Sequence, residues 1–134
     1  MLSNLSYHEC MALLATAPVG RVGVSVGALP LVLPVNFAVV DGDIVFRTVE
    51  GTKFYAAAAR AVLAFEVDGY DPSGVSGWSV VVQGVSTVVT VRTDIERLSR
   101  LGVTSWALDG AADRFVRIHP TVVTGRRFER ASPA

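Results

Sequence analysis

Apolar and polar residues alternate with a period of two along much of the first half of the chain. Valines recur at every second position from Val22 to Val26, and residues 29–40 alternate in the same way. This pattern predicts two β-strands, over 19–26 and 29–40, because successive strand residues point to opposite faces. Gly27-Ala28 and Asp41-Gly42 follow these strands and are typical of tight hairpin turns. A third strand, residues 43–48, is therefore expected to fold back on the second.

Later apolar runs predict four more strands, over 61–67, 78–91, 114–119 and 121–128, the last two joined near Pro120. Gly84 interrupts the longest run and predicts a bulge. Three short helices are expected, beginning at Ser6, Thr52 and Thr93, and capping-box spacing supports the first and third. The order favours a mainly β fold, a closed antiparallel barrel with short peripheral helices. We expect one domain over residues 1–134, with a frayed tail from about residue 130.

Composition narrows the class of protein. Twelve basic and twelve acidic residues give zero formal net charge, which argues against nucleic acid as a partner. No run of residues has the length and apolarity of a membrane helix or of a secretory signal. The single cysteine excludes an intrachain disulfide and fits a cytoplasmic location. Half of the residues are apolar, so a dimer interface would bury surplus apolar surface.

A cluster of cations and hydroxyls is expected where the third strand ends. Arg47 and Thr48 close that strand, and Thr52 and Lys53 open the following helix. Two cations, two hydroxyls and the N–H groups of a helix start suit a phosphate. The alternative is that Thr52 merely caps the helix while the basic side chains are solvated.

Other positions leave two interpretations open. Asn36 is polar within an apolar strand, so its amide is either satisfied internally or faces a ligand. Pro34 lacks an N–H and marks a strand edge or a break. Trp78 is suited either to stacking on a planar ligand or to packing. His8, Cys10 and His119 are too few to predict a metal site, and no catalytic set stands out.

In its order of motifs, the chain resembles the pyridoxamine 5′-phosphate oxidase-like flavoproteins, and most of all their small actinobacterial-type members. The resemblance spans nearly the whole sequence, and its segments are ECMALLATAPVGRVGV, LPLVLPVNF, DIVFRTVEGTK, GWSVVVQG and VRIHPTVVTGRRF. It implies the FMN-binding split β-barrel fold and a homodimer that holds the cofactor at the subunit interface.

The resemblance also assigns residues to the flavin. The strand from Val32 to Phe37 would run along the isoalloxazine ring, largely through backbone groups, and the cluster at Arg47 would hold the phosphate. Trp78 and Ser79 would approach the ring, although family oxidases usually have Arg-Gln there, and Gln83 is a weaker candidate. The expected cofactor-binding residues are Pro34, Val35, Asn36, Phe37, Arg47, Thr48, Thr52, Lys53, Trp78 and Ser79.

Departures from the family pattern bear on activity. Phe37 replaces the lysine that ends the ring-bordering strand, and the C-terminal Trp and Arg segment of the true oxidases has no counterpart. Vitamin B6 oxidation is therefore not expected. The leading hypothesis is an FMN-dependent oxidoreductase acting on a small conjugated substrate. The alternatives are a deazaflavin-dependent reductase, with Arg21, Arg60, Arg126 and Arg127 as an outer basic path, FAD as the flavin, or a non-enzymatic flavin- or haem-binding module.

Overall fold

The computed structural model describes residues 1–104 and 113–130. The expected loop around Trp106 and the expected tail beyond residue 130 lie outside these residues. The strands are β1 (Leu2–Asn4), β2 (Val19–Val26), β3 (Leu29–Val40), β4 (Asp43–Val49), β5 (Val62–Tyr70), β6 (Ser76–Val88) and β7 (Asp113–Glu129). The helices are α1 (Tyr7–Leu14), α2 (Lys53–Ala58) and α3 (Arg92–Ser99).

The sheet closes on itself. Its order is β1-β7-β4-β3-β2-β5-β6, and β6 pairs in turn with β7. Every described strand pair is antiparallel. Strands β2 to β7 therefore form a ring, with β1 added to one end of β7. The expected mainly β, antiparallel barrel with short helices is confirmed, and its ring-like closure is consistent with a split barrel.

The core follows from the alternation of side chains along each strand. The inward positions of β4 are Ile44 and Phe46, which are buried in the barrel with Phe65 and α1 residue Leu14. The outward position Val45 packs instead in a smaller cluster with Val40, Val89, Leu98 and Phe115. This second cluster fixes α3 to the outside of the barrel.

Both predicted tight turns are present, and their backbone explains their sequences. Gly27 has φ 62°, while Asp41 and Gly42 have φ 52° and 81°. Such positive φ values cost little for glycine and are tolerated by aspartate. The capping box of α1 is also confirmed, since the Glu9 N–H donates to the Ser6 hydroxyl and the Ser6 N–H to the Glu9 carboxylate.

Two local predictions were wrong, and one strand was missed. Helix α3 is capped at Val91 without a side-chain bond, because the chain turns two residues before Thr93. Pro120 does not divide β7, since the strand continues past it and its register against β6 shifts at Gly84. Strand β1 was not predicted at all, because three residues are too few to show alternation.

Candidate functional site

The outer edge of β3 is open over most of its length. Residues 29–36 pair with β2, whereas pairing with β4 begins at Phe37. The Phe37 N–H donates to the Pro18 carbonyl on the β2 side. Because backbone groups alternate in an antiparallel ladder, those of Pro30, Val32 and Pro34 point away from β2. No described strand pairs with this part of β3, so the edge exposes three carbonyls and the Val32 N–H.

The prolines occupy the positions where such an edge tolerates them. Proline has no backbone N–H. At Pro30 and Pro34 an N–H would have pointed away from β2, so no hydrogen bond between β2 and β3 is lost there. The expected edge position of Pro34 is thus confirmed. The two prolines also remove the donors that another strand would need, so the edge disfavours strand addition. It remains able to bind a ligand that donates to carbonyls.

Two of the expected ring-bordering residues, Val35 and Phe37, direct their side chains into the barrel and their backbone groups toward β2. Val35 and Phe37 are buried in the barrel core. Phe37 packs against Phe65 with ring centroids 4.8 Å apart. Pro34 and Asn36 have the opposite alternation and lie on the outer face, where they are half-buried.

Arg47 lies on the outer face beside the point where β3 and β4 separate. One guanidinium nitrogen donates to the Val103 carbonyl at 3.1 Å, and another lies 3.4 Å from the Asp113 carboxylate. The guanidinium carbon stands 4.8 Å from the centroid of the Phe115 ring. The buried Nε has no hydrogen-bond partner among the described residues. Arg47 is therefore held in place, and each terminal guanidinium nitrogen keeps a second N–H beyond these two contacts.

The other three residues of the expected phosphate cluster differ in exposure. The Thr48 side chain is buried in the barrel. The Thr52 hydroxyl caps α2, accepting from the Tyr55 N–H at 3.0 Å and donating to the Val49 carbonyl at 2.8 Å. Lys53 is exposed and forms no ion pair with any described residue. The structure thus holds Thr52 close to Val49, the last residue of β4, and leaves Lys53 as an accessible cation there.

Trp78 and Ser79 lie elsewhere, on β6. Two cavities of about 600 and 440 Å³ adjoin them where β5, β6 and β7 run together. Trp78 lies against the backbone of Gly69, where an added Cβ would stand 2.6 Å from the indole nitrogen, and Phe128 covers Gly77 in the same way. The residues that line the smaller cavity are Leu2, Asp68, Gly69, Tyr70, Gly74, Trp78, Ser79, Arg126 and Phe128.

The expected site residues therefore fall into two groups. Phe37 pairs with Phe46, so the ring-bordering segment of β3 leaves β4 at the residue before Arg47, and Thr52 at the start of α2 is bonded to the end of β4. Trp78 and Ser79 are separated from β3 by β2 and β5, three strand spacings of about 4.8 Å each around the barrel. One copy of the chain does not bring the two groups together.

A polar cluster on the outer face was not foreseen from the sequence. Arg21 on β2 lies 3.5 Å from Glu66 and 3.6 Å from Asp68, both on β5. Burial raises the pKa of Glu66 to about 7, and hydrogen bonding and charge repulsion from Asp68 act in the same direction, with Arg21 opposing them. Only cross-strand pairing brings these residues together, and nothing in their sequence spacing indicates it.

The histidines offer little to a metal or haem iron. The two ring nitrogens of His119 lie 3.1 Å from the Asp43 carboxylate and 3.0 Å from the Thr87 hydroxyl. His8 is exposed on α1. No group of three or more potential metal ligands occurs within residues 1–104 and 113–130. Among the helices of the same residues, none has the length and apolar character needed to cross a membrane.

The family model of pyridoxamine 5′-phosphate oxidase matches residues 6–127 of this chain. The chain belongs to that family. The match spans all of the barrel strands, so the resemblance seen in the sequence motifs is confirmed.

Relatives of this family share both sequence and fold with the chain. The uncharacterised protein Rv0080 of Mycobacterium tuberculosis is 41% identical over 130 residues, 93% of this chain and 84% of the relative. A FAD-binding protein from Mycobacterium smegmatis is 36% identical and superposes with a TM-score of 0.81 over 95% of this chain and 100% of that one. A conserved protein of unknown function from Corynebacterium diphtheriae is 28% identical, with a TM-score of 0.78 over 95% and 98% of the two chains.

Within the pyridoxamine 5′-phosphate oxidase family, this chain shares the fold of the FAD-binding protein from Mycobacterium smegmatis. Asp113 is the neighbour of the candidate site that sequence reasoning missed. It meets Arg47 through the pairing of β4 with β7. The sequence signal for Asp113 is weak: an acidic residue stands directly before Arg114, where a strand was predicted to begin.

Proposed function

We propose that this chain binds a flavin and acts as a flavin-dependent oxidoreductase on a small conjugated substrate. The open edge of β3 is the observation that carries the proposal. It presents backbone carbonyls and the N–H of Val32, with prolines on either side that disfavour a neighbouring strand. The pyrimidine end of an isoalloxazine ring carries an N–H between two carbonyl oxygens. Such a ligand can use both the donor and the acceptors of this edge.

The residues at the end of β4 fit the flavin phosphate. Arg47 retains donors beyond those used by Val103 and Asp113, and Lys53 is exposed nearby. Charge-assisted hydrogen bonds from such groups to phosphate are about twice as strong as neutral ones. Thr52, already bonded as the cap of α2, places Lys53 rather than acting as a free donor.

Both FMN and FAD contain the ring and the phosphate that these residues fit. The sequence motifs alone favoured FMN. The FAD-binding protein of Mycobacterium smegmatis, at 36% identity over nearly the whole chain, supports FAD. The cofactor is therefore proposed as a flavin nucleotide, with FAD the better supported.

A bound flavin supplies the electron transfer, and the chain supplies binding, orientation and exclusion of water. Val35 and Phe37 keep the β3 edge rigid, because their side chains are packed in the core and their backbone groups face β2. No side chain near β3 is required as an acid or base, because positioning alone can support hydride transfer.

A homodimer completes the proposed site. Trp78 and Ser79 lie away from the β3 group in one copy, so a partner copy would bring its own β6 to the flavin. The outer face of the barrel offers apolar surface for this contact, with Val32 63% and Val62 73% exposed. Exposed apolar surface of this kind marks interaction sites.

Titration with four cofactors tests the proposal. Riboflavin, FMN, FAD and deazaflavin are added separately to the purified protein, and binding is followed by absorbance and fluorescence quenching. We expect FMN and FAD to bind, and Lys53→Ala to weaken both about tenfold because it removes a charged donor. Riboflavin binding is expected to be unchanged in that variant, since it lacks phosphate.

Arg60→Ala is the matched control, because it removes an exposed cation just beyond the other end of α2. If both variants lose the same affinity for FMN, the effect of Lys53→Ala comes from the overall charge of the protein and not from a contact of Lys53 with the phosphate. Absence of flavin binding by the wild-type protein, or binding of deazaflavin alone, would overturn the proposal.

A further inference from the structure

Three polar side chains on the outside of the barrel form a chain of hydrogen bonds at the end of β4 opposite to Arg47. The Asp43 carboxylate lies 3.1 Å from Nδ1 of His119. The other ring nitrogen of His119, Nε2, lies 3.0 Å from the Thr87 hydroxyl. A hydroxyl bonded to a base that a third group orients is the arrangement of a catalytic triad, which is recognised by its geometry and not by its sequence spacing.

Strand pairing fixes these three residues relative to one another. The pairing of β4 with β7 brings Asp43 beside His119. Val85 pairs with His119, and Thr87 follows two residues later on the same face of β6. The bulge at Gly84 directly precedes that pair, and bulges next to active sites re-aim a side chain. The cluster is therefore built on three hydrogen-bonded strands of the barrel.

The hydrogen bonds of His119 place its protons as a general base requires. An ionised carboxylate can only accept a hydrogen bond, so Asp43 accepts from the Nδ1–H of the ring. In the neutral imidazole Nε2 then keeps a lone pair, which accepts from the Thr87 hydroxyl. His119 is thus oriented to take the proton that Thr87 must lose to become a strong nucleophile.

A cavity of about 180 Å³ adjoins Thr87, and its walls indicate the kind of substrate. Arg117, which pairs with Thr87 across β6 and β7, lines this cavity together with Asp94 of α3. One guanidinium nitrogen of Arg117 lies 3.5 Å from Asp43, and the guanidinium has further N–H groups that can stabilise a developing oxyanion. Because a cation and a carboxylate both line the cavity, a small neutral molecule fits it better than an ion.

We propose that this chain has a hydrolytic activity toward small neutral carboxylic esters, with Thr87 as nucleophile, His119 as general base and Asp43 as the residue that positions His119. This activity goes beyond the proposed flavin chemistry and does not rest on it.

The reaction has two steps. The Thr87 oxygen attacks the ester carbonyl carbon while its proton passes to Nε2 of His119. The bond from that carbon to the alcohol oxygen breaks, and the alcohol leaves with the proton. A water molecule then gives a proton to Nε2 and attacks the acyl group on Thr87. The carboxylic acid is released, and the proton returns to the Thr87 oxygen.

Hydrolysis of p-nitrophenyl acetate by the full chain at pH 8 tests the inference. We expect saturable release of p-nitrophenolate, a rate about a hundredfold lower in Thr87→Ala, and retained activity in Thr87→Ser, which keeps the hydroxyl. Asp43→Asn should lower kcat and leave KM unchanged, because Asp43 acts through His119. Thr90→Ala is the matched control, since Thr90 lines the same cavity and has no bond to His119 within the described part of the chain. It should hydrolyse the ester at the wild-type rate.

Mass spectrometry of acid-quenched protein identifies the nucleophile, and we expect an acetyl group on Thr87. His8→Gln controls for direct reaction of an exposed imidazole with the ester and should leave the rate unchanged. Equal rates in Thr87→Ala and Thr90→Ala, or a wild-type rate no higher than that of His119→Gln, would overturn the inference. If Thr87→Ala does not fold, the site of acetylation in the wild-type protein decides, because acetylation of any residue other than Thr87 contradicts the proposal.

Discussion

At the scale of single residues, Glu66 makes stability depend on pH. Its side chain lies between Arg21 and Asp68 on the outer face, and burial is the main cause that raises its pKa to about 7. An unfolded chain would release this proton near the ordinary value of 4.5. The folded state therefore binds more protons than the unfolded state between these two pH values. The contribution of Glu66 to the free energy of unfolding is fully present below about pH 4.5 and is lost as the pH rises through about 7.

We expect the free energy of unfolding of the monomeric chain to fall between pH 5 and pH 8 through this group. Glu66→Gln removes the titration and should stabilise the protein at pH 8 by on the order of 1 kcal/mol, discounted because the side chain is about one-third exposed. Urea denaturation at both pH values measures the effect. Glu96→Gln, at an exposed carboxylate of α3, is the control. A variant whose pH dependence matches that of the wild type would refute the assignment to Glu66.

At the scale of elements, one hydroxyl and the packing of Phe54 and Ala58 on the core attach α2 to the barrel. Ser86 on β6 lies 2.6 Å from the Ala58 carbonyl and 3.1 Å from the Ala61 carbonyl, and it accepts from the Ala61 N–H at 3.0 Å. These groups form the C-terminal end of α2 and the turn into β5. Six residues form a weak helix on their own, so this contact and the burial of Ala58 hold the element that carries Lys53.

Ser86→Ala is expected to destabilise the chain by about 2 kcal/mol, because it leaves buried backbone groups without their partner. Thermal unfolding measures the loss, and flavin titration at a temperature where the variant is folded measures the effect on the proposed site. Ser25→Ala, on an exposed position of β2, should change neither quantity. A shift in melting temperature no larger than that of Ser25→Ala would show that α2 is held by packing alone.

The elements that the sequence revealed are those whose pattern is local. Alternation over 19–26 and 29–40 predicted β2 and β3, and the Asp41-Gly42 turn predicted the hairpin of β3 with β4, because those features involve neighbours in the chain. Gly84 predicted the bulge, and the structure adds its reason: a Cβ there would stand 1.9 Å from the His119 carbonyl oxygen. Pro120 was misleading because it lies at that bulge, where its missing N–H does not end the strand.

The residues of the candidate site were likewise predictable only where their signal is local in the sequence. Arg47 and Lys53 stand out in sequence because cations flank a turn and a helix start. Asp113 and the Arg21–Glu66 contact do not, because strand pairing between distant parts of the chain creates them. Local sequence therefore identifies the basic groups of the site, while the carboxylates that set their charge emerge only from the closed barrel.

At the scale of the whole molecule, a mostly apolar row of residues crosses the outer face of the barrel beside the Arg21–Glu66 contact. Cross-strand register aligns Val32 with Gly23 on β2 and Ala64 on β5, and the same row continues to Gln83 on β6 and Val122 on β7. Val122 is 45% exposed. Small residues in the middle of the row leave it flat enough for another surface to pack closely. A second copy is the proposed occupant, because the flavin site as proposed includes Trp78 and Ser79 of β6, which one copy does not place beside β3.

Val62→Lys combined with Val122→Lys is therefore expected to convert the proposed dimer to a monomer, because burying two charges in an apolar contact is costly. Sedimentation velocity at micromolar concentration measures the mass, and flavin titration on the same samples shows whether affinity falls with it. Tyr7→Lys with Leu101→Lys is the matched control, since it adds the same charges at exposed apolar residues outside the strands. It should remain a dimer with unchanged affinity. Full flavin affinity in a monomeric variant would mean that Trp78 and Ser79 of a partner are not part of the site, and the β3 edge with Arg47 and Lys53 would then have to hold the cofactor alone.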